Sequence, residues 1–308
     1  MDFNEHFRAA QHLVNEIDDW EFNGFSWEKA YVSSVFSALA YEEVPLFELK
    51  KSKRAKVIPS DRYQAHVSQW ETKQRRATIQ ELQADVPTEV VIRNRVVVTI
   101  SNLRRVIFVS FRGTTLSFSD FKADLDARKV KYALGPTVAK VHRGFLDAVL
   151  DCADEITEKI AAFIEPEVPV YVTGHSLGGA MAAIFYARLA EYDLFRRRYW
   201  IMRRTTIPPA TSCYTFGMPR YGDMVAKVAF PQPYHIFNEL DAVPTLPPTI
   251  LGYVDSADER CLNAIPDLIQ VPKKGNFGLR SKKGLPTVLG ISDHRMERYI
   301  ERVDAMRP

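Results

Sequence analysis

The first 41 residues carry apolar positions three and four residues apart, which is the spacing of an amphipathic helix. This pattern predicts one helix from Phe7 to Trp20 and a second from Ser26 to Tyr41. Residues 42–87 are charged and mixed in character, so we expect helices and loops that cover one edge of the fold. Together, residues 1–87 are predicted to be an N-terminal helical and covering region.

From Glu89 onward the helical period gives way to β-branched and aromatic runs. EVVIRNRVVVTI and RRVIFVSFRG predict a hairpin pair or two consecutive strands. Helical and strand patterns then alternate, with helices predicted at 142–164, 179–190 and 292–306 and strands at 168–173, 212–217 and 233–240. This alternation predicts an α/β fold with a mostly parallel central sheet and helices on both faces. No linker interrupts it, so residues 1–308 are predicted to be one domain.

Composition narrows the class of protein. The chain has 308 residues, of which 46% are hydrophobic and 26% charged, as in an ordinary soluble globular protein. A net charge of +3 is too small to indicate a nucleic-acid partner. No apolar run approaches the roughly 18 residues that a transmembrane helix needs. The three cysteines have no metal-ligand spacing and fit reduced, buried thiols, so we predict no metal site.

The N-terminal segment is acidic and amphipathic, without the basic start and apolar core of a signal peptide. The sequence therefore predicts a cytoplasmic protein, or a secreted one if a signal peptide has been removed.

The stretch VYVTGHSLGGAMAAIFYARLA places a serine between glycines where a strand runs into a helix of small residues. Gly174, Ser176 and Gly178 form the G-x-S-x-G pattern of a nucleophile elbow, a tight turn on which neighbouring side chains would clash. The alternative is an ordinary strand–turn–helix joint of an α/β domain. The surrounding strand and small-residue helix favour the elbow, with Ser176 as nucleophile.

A serine needs a base to remove its proton. In folds with this elbow the order along the chain is serine, then acid, then histidine. Only His235 and His294 follow Ser176, and His235 lies within a predicted strand, where a structural role is more ordinary. His294 lies in a loop before the last helix, so we predict that it is the base. His175 adjoins the serine on a tight turn and is predicted to be structural.

The acid must lie between Ser176 and His294. Asp241 follows a predicted strand and precedes the loop AVPTLPP, at the edge where active sites of α/β proteins form. Glu239 is the competitor, but it still falls within the strand pattern. We predict Asp241, which would orient the imidazole and stabilise its charged form.

Acyl transfer also needs hydrogen-bond donors for the oxyanion. One is the backbone N–H of Leu177, directly after the nucleophile. The second is predicted at the strand-to-loop junction VSFRGTTLSFSDF, where Thr114 follows Gly113.

Taken together, these residues resemble the class 3 lipases, the family of fungal triacylglycerol lipases and their relatives. The pieces that carry the resemblance are FRGTT, VHRGF, VTGHSLGGAMA, YTFGMPRYGD, NELDAVPTLPP and DHRMERY, in the order of the family. The resemblance implies an α/β-hydrolase fold with Ser176, Asp241 and His294 as triad and Thr114 and Leu177 as oxyanion donors. It also implies hydrolysis of carboxylic esters, commonly acylglycerols, without a cofactor.

In that family the segment after the FRG motif is a helical lid over the acyl pocket. The corresponding stretch TLSFSDFKADLDA repeats apolar residues about a helical turn apart, namely Leu116, Phe118, Phe121 and Leu125. It is either a lid or a fixed amphipathic surface helix.

Two stretches depart from the family. LFRRRYWIMRR combines five arginines with aromatic residues, which would suit peripheral contact with anionic lipid, although a solvated helix end is more ordinary. LGYVDSADER, with the basic loop VPKKGNFGLRSKKG, suggests a different rim to the pocket and leaves the acyl chain length open.

The sequence thus predicts a serine hydrolase that acts on an ester or lipid, most simply a lipase on medium- or long-chain acylglycerols. The alternatives are a phospholipase A1, a short-chain or feruloyl-type esterase, and a non-enzymatic scaffold that binds lipid or protein.

Overall fold

The computed structural model describes residues 3–41, 86–93, 96–103, 105–113, 127–163, 168–199, 209–262 and 293–308. Their elements, in chain order, are α1 (Phe3–Glu16), α2 (Trp27–Leu39), β1 (Thr88–Arg93), β2 (Val96–Asn102), β3 (Ile107–Phe111), β4 (Lys129–Leu134), β5 (Thr137–His142), α3 (Arg143–Phe163), β6 (Val170–His175), α4 (Leu177–Tyr199), β7 (Ala210–Phe216), α5 (Met224–Ala229), β8 (Tyr234–Asn238), β9 (Asp258–Leu262) and α6 (Met296–Asp304).

The central sheet runs in the order β1-β2-β3-β6-β7-β8-β9 across the described residues. β1, β2 and β3 pair antiparallel, and β3 and the four strands beyond it pair parallel. The predicted mostly parallel sheet is confirmed. Its parallel strands share one carboxyl edge, and β6, β7 and β8 all end there.

Helices cover both faces of the sheet, as predicted, because successive strand side chains point to opposite faces. Val170 and Val172 of β6 face a core that includes α3 and α4. Tyr171, between them, faces a second core that includes α1, α2 and α6. Both cores are rich in fully buried side chains.

The N-terminal helices are held to the sheet by tyrosines on three neighbouring strands. The hydroxyls of Tyr171, Tyr214 and Tyr234 donate to backbone carbonyls of the loop between α1 and α2, at 3.0, 3.1 and 3.3 Å. The buried ammonium of Lys29, in the first turn of α2, donates to two carbonyls of the same loop, those of Asp19 and Phe22, at 2.8 and 3.2 Å. These bonds fix α2, whose C-terminal end leads to Tyr41 beside the site.

Predicted and observed elements differ mainly at their ends. α2 begins after Ser26, whose side chain caps it by accepting the N–H of Lys29, while α1 begins and ends earlier than predicted. Trp20 lies in a turn after α1 and donates its indole N–H to Val14 O. Of the predicted covering region, residues 42–85 lie outside the described residues.

Four elements were not predicted. The β4–β5 hairpin forms a separate two-stranded sheet, α5 is one short helix, and β9 is an edge strand. β9 includes Asp258, Glu259 and Arg260, so part of the stretch read as a rim loop is instead the last strand of the described sheet. No helix among the described residues is long and apolar enough to cross a bilayer.

Candidate active site

Ser176 lies at the turn between β6 and α4, at the carboxyl edge of the sheet. Its φ is +58°, the one positive φ of a non-glycine residue among those described. Its N–H donates to Phe216 O of β7 at 2.9 Å, and its carbonyl accepts the N–H of Gly179 at 3.0 Å. The backbone is therefore held in an unfavourable conformation that lifts the side chain above the sheet.

The glycines around Ser176 are required by space. A Cβ on Gly174 would overlap the backbone of Gly178, and one on Gly178 would overlap Phe111 O. A Cβ on Gly179 would lie 2.9 Å from Met218 Cβ. The first turn of α4 thus packs against β3 and the end of β7, with no room for a side chain at these three glycines.

Three predicted residues from distant parts of the chain meet at this turn. His294 Nε2 lies 2.8 Å from Ser176 Oγ, and His294 Nδ1 lies 2.7 Å from Asp241 Oδ2. Ser176 and Asp241 are buried, whereas the His294 side chain keeps 19% of its surface exposed. This linear contact of hydroxyl, imidazole and carboxylate is the geometry with which an acid–base pair activates a serine.

The Asp241 carboxylate is fixed by two donors besides His294. Val243 N–H donates to Oδ1 at 2.9 Å, and Tyr299 Oη donates to Oδ2 at 2.6 Å. Gly217, at φ +54°, leaves room for these atoms, since a Cβ there would lie 2.7 Å from both Asp241 Oδ2 and Tyr299 Oη. Glu239, the competing acid, lies exposed in the turn after β8.

The backbone around His294 is held from two sides. Asn238 Nδ2, at the end of β8, donates to Asp293 O at 2.6 Å. His175 Nε2 lies 2.7 Å from His294 O, and the two imidazole rings are 4.6 Å apart. The histidine is thus positioned by groups that belong to the ends of β6 and β8.

Of the two predicted oxyanion donors, the structure describes only Leu177. Leu177 is the first residue of α4, where backbone N–H groups have no acceptor within the helix. Thr114 lies outside the described residues, but Gly113, directly before it, packs against the nucleophile. A Cβ on Gly113 would lie 2.6 Å from His175 O and 3.0 Å from Ser176 Cβ.

The remaining histidine after the serine has a structural setting, as expected. His235 Nε2 accepts the N–H of Met218 at 3.1 Å, and its Nδ1 lies 3.2 Å from Glu259 Oε1 of β9.

Several predicted features fall outside the described residues, among them the predicted lid residues Leu116, Phe118, Phe121 and Leu125 and the basic loop after Leu262. The backbone of residues 194–199 in the arginine-rich stretch continues α4. No group of three or more potential metal-ligating side chains occurs in the part of the chain that the structure covers.

Sequence reasoning missed the residues that support the site. Tyr299 stands in the motif DHRMERY, and its buried position on α6 is signalled by the apolar spacing of that helix. Tyr41 gave no signal, because its role depends on how α2 lies across the sheet.

Comparison with known proteins finds a matching family. The family described as "Lipase (class 3)" matches residues 108–251. Over these residues the chain is similar to the class 3 lipase family. The match includes β3 from its second residue, the turn at Ser176 and Asp241, and it ends before His294.

Two relatives are named for their activity. A lipase of Rhizomucor miehei is 34% identical over 176 residues, which is 54% of this chain and 45% of the relative. A secreted mono- and diacylglycerol lipase of Fusarium solani is 32% identical over 183 residues, 55% of this chain and 47% of the relative. The match thus spans about half the length of these relatives.

A solved structure supports the predicted α/β-hydrolase fold of the lipases. A crystal structure of a mutant of MDLA from Penicillium cyclopium superposes with a TM-score of 0.54 at 20% identity, covering 95% of this chain and 98% of that one. At this identity the likeness concerns the fold.

Proposed function

We propose that this protein hydrolyses carboxylic esters through an acyl-enzyme, with acylglycerols of medium or long chain as substrates. The observation that carries the proposal is the contact of Ser176, His294 and Asp241 at a strained turn. The substrate class is suggested by the named activities of the two relatives.

In the proposed mechanism Ser176 Oγ attacks the ester carbonyl while His294 Nε2 takes its proton. Asp241, held by Val243 N–H and Tyr299 Oη, keeps His294 in the tautomer with its proton on Nδ1 and stabilises the imidazolium. The N–H groups of Leu177 and Thr114 would receive the oxyanion. His294 then protonates the leaving alcohol, and a water molecule activated in the same way releases the fatty acid.

The test is hydrolysis of p-nitrophenyl butyrate and p-nitrophenyl palmitate by the wild type and by Ser176→Ala. We expect kcat to fall by roughly 10⁴–10⁶-fold in the variant, because the other residues cannot replace the nucleophile. A folded circular-dichroism spectrum of the variant is the control. Equal turnover by the two proteins would refute the proposal, and a folded wild type inactive on every ester would favour the binding scaffold.

The ratio of rates on the two esters distinguishes a lipase from a short-chain or feruloyl-type esterase. Release of fatty acid from emulsified mono-, di- and triacylglycerols, compared with phosphatidylcholine, ranks it against a phospholipase A1. We expect acylglycerols to be the better substrates.

Peripheral contact with a lipid surface belongs to the same proposal, with residues 115–127 as a lid. Replacing Leu116, Phe118 and Phe121 by serine should lower activity on emulsified esters more than on dissolved ones. An unchanged ratio would rule out the lid.

For localisation, the name of the Fusarium solani relative favours the secreted alternative over the cytoplasmic one. Fractionation of the source cells and their medium with an antibody to this protein distinguishes them.

A further inference from the structure

Half-buried Tyr41 and buried His175 form a series of polar contacts between two loops of the site. Tyr41 Oη lies 2.7 Å from His175 Nδ1 and accepts the N–H of Gly113 at 3.1 Å. On the other side of the ring, His175 Nε2 lies 2.7 Å from His294 O. One chain of contacts therefore runs from the residue before Thr114 to the backbone of His294.

The partners fix the direction of each bond. His294 O can only accept, so His175 Nε2 carries a proton and donates it. In a neutral imidazole Nδ1 then has a free lone pair, which accepts the hydroxyl proton of Tyr41. The oxygen of Tyr41 retains a lone pair for the N–H of Gly113. Every member of the chain is thus satisfied in one arrangement of protons.

His175 is neutral in this arrangement, and its surroundings favour that state. Its pKa is well below the usual value, first because it is buried and second because a charge on the nearby His294 would repel it. The donor and acceptor roles in these hydrogen bonds therefore stay the same while His294 gains and loses a proton during turnover.

We propose that Tyr41 and His175 are positioning residues that couple the oxyanion loop at Gly113 to the loop that carries His294. This inference rests on the proposed function and adds to it. Gly113 is packed against His175 O and Ser176 Cβ, so a shift of its backbone moves the N–H of the next residue relative to the oxyanion. A shift of His294 O changes the reach of Nε2 toward Ser176 Oγ. Errors of this kind affect the transition state more than the bound substrate.

Tyr41→Phe tests the proposal because it removes a single oxygen atom. Tyr31→Phe is a matched control, since Tyr31 lies on α2 and its buried hydroxyl lies 2.7 Å from another histidine, His6, far along the helix from the site. We expect kcat on p-nitrophenyl butyrate to fall roughly 5- to 50-fold in Tyr41→Phe with little change in KM. Tyr31→Phe should keep both constants while losing comparable thermal stability.

A second readout separates positioning from general loosening. Inactivation by an alkyl p-nitrophenyl phosphonate, which forms a tetrahedral adduct on Ser176, should slow in Tyr41→Phe and not in Tyr31→Phe. His175→Asn keeps an acceptor near Tyr41 but is too short to reach His294 O. Both substitutions interrupt the same series of hydrogen bonds. The double variant Tyr41→Phe/His175→Asn should therefore have a kcat little lower than that of the slower single variant.

The outcomes are distinct. Equal kcat for Tyr41→Phe and Tyr31→Phe, or strictly multiplicative losses in the double variant, would overturn the coupling while leaving the proposed hydrolysis intact. A wild type without turnover would overturn the proposed function, and this inference with it.

Discussion

At the scale of single residues, the space around the Ser176 turn limits which side chains the neighbouring positions can carry. Gly178 occupies a point where any Cβ would overlap Phe111 O and approach the backbone of Arg112. These atoms belong to β3 and the loop that follows it, so they cannot yield as the end of a flexible side chain could. By contrast, a Cβ on Gly24 would meet no atom within 4 Å.

Gly178→Ala should therefore destabilise the protein, while Gly24→Ala serves as its control. Overpacking against backbone costs about 1–3 kcal/mol or more, so we expect the free energy of unfolding in urea to fall by at least that amount. Gly24→Ala should stay within about 0.5 kcal/mol of the wild type, as surface substitutions usually do. Equal urea midpoints for the two variants would contradict the packing seen here.

At the scale of elements, the loop between α1 and α2 depends on one buried cation. Lys29 lies in the first turn of α2 with its ammonium buried, and its charge is offset by Asp19 Oδ1 at 3.0 Å and by two backbone carbonyls. The loop presents further carbonyls to tyrosines of the sheet. Lys29 thus organises the backbone that attaches the N-terminal helices.

Lys29→Met should lower the free energy of unfolding by about 1–3 kcal/mol, because two charge-assisted hydrogen bonds are lost and the carbonyls of Asp19 and Phe22 keep only their backbone or tyrosine donors. Lys131→Met, on an exposed lysine of β4, is the matched control and should have little effect. The check is urea denaturation followed by tryptophan fluorescence. A Lys29 variant as stable as the control would mean that the other donors to these carbonyls are enough to hold the loop.

Elements with a strong period were predictable from sequence, and those with mixed patterns were not. α2 follows from the cap at Ser26 and its apolar spacing, and β6 follows from a short buried run. β9 escaped detection because an edge strand can carry Asp258, Glu259 and Arg260, which resemble loop residues.

For the site, the serine, acid and histidine follow from the elbow pattern and the order along the chain. Their supporting contacts do not, because Tyr41, Gly113 and His175 become neighbours only when α2 lies across the sheet. Local sequence carries no signal for such a tertiary contact.

At the scale of the whole molecule, buried histidines link stability to pH. The pKa of His175 is lowered well below its usual value by burial, and that of His6 is lowered chiefly for the same reason. Below about pH 6.5 these rings bind protons in the unfolded chain but stay neutral in the folded chain. Stability is therefore fully present above that pH and falls as the solution is acidified.

We expect the free energy of unfolding to decrease between pH 7.5 and pH 5.5, with His175 contributing up to about 1.4 kcal/mol per pH unit below 6.5. Urea titrations at several pH values measure the slope. His175→Asn should give a smaller slope than the wild type, because its side chain does not titrate. Identical slopes would show that His175 is protonated in the folded protein.

The position of His294 in the chain also sets when its contact with Ser176 can form during synthesis. Every strand that the structure describes precedes it, and it follows Ser176 by on the order of 100 residues. At about 5–20 residues per second, the ribosome adds His294 on the order of 10 s after Ser176. A nascent chain can thus pair the described strands before the contact between Ser176 and His294 exists.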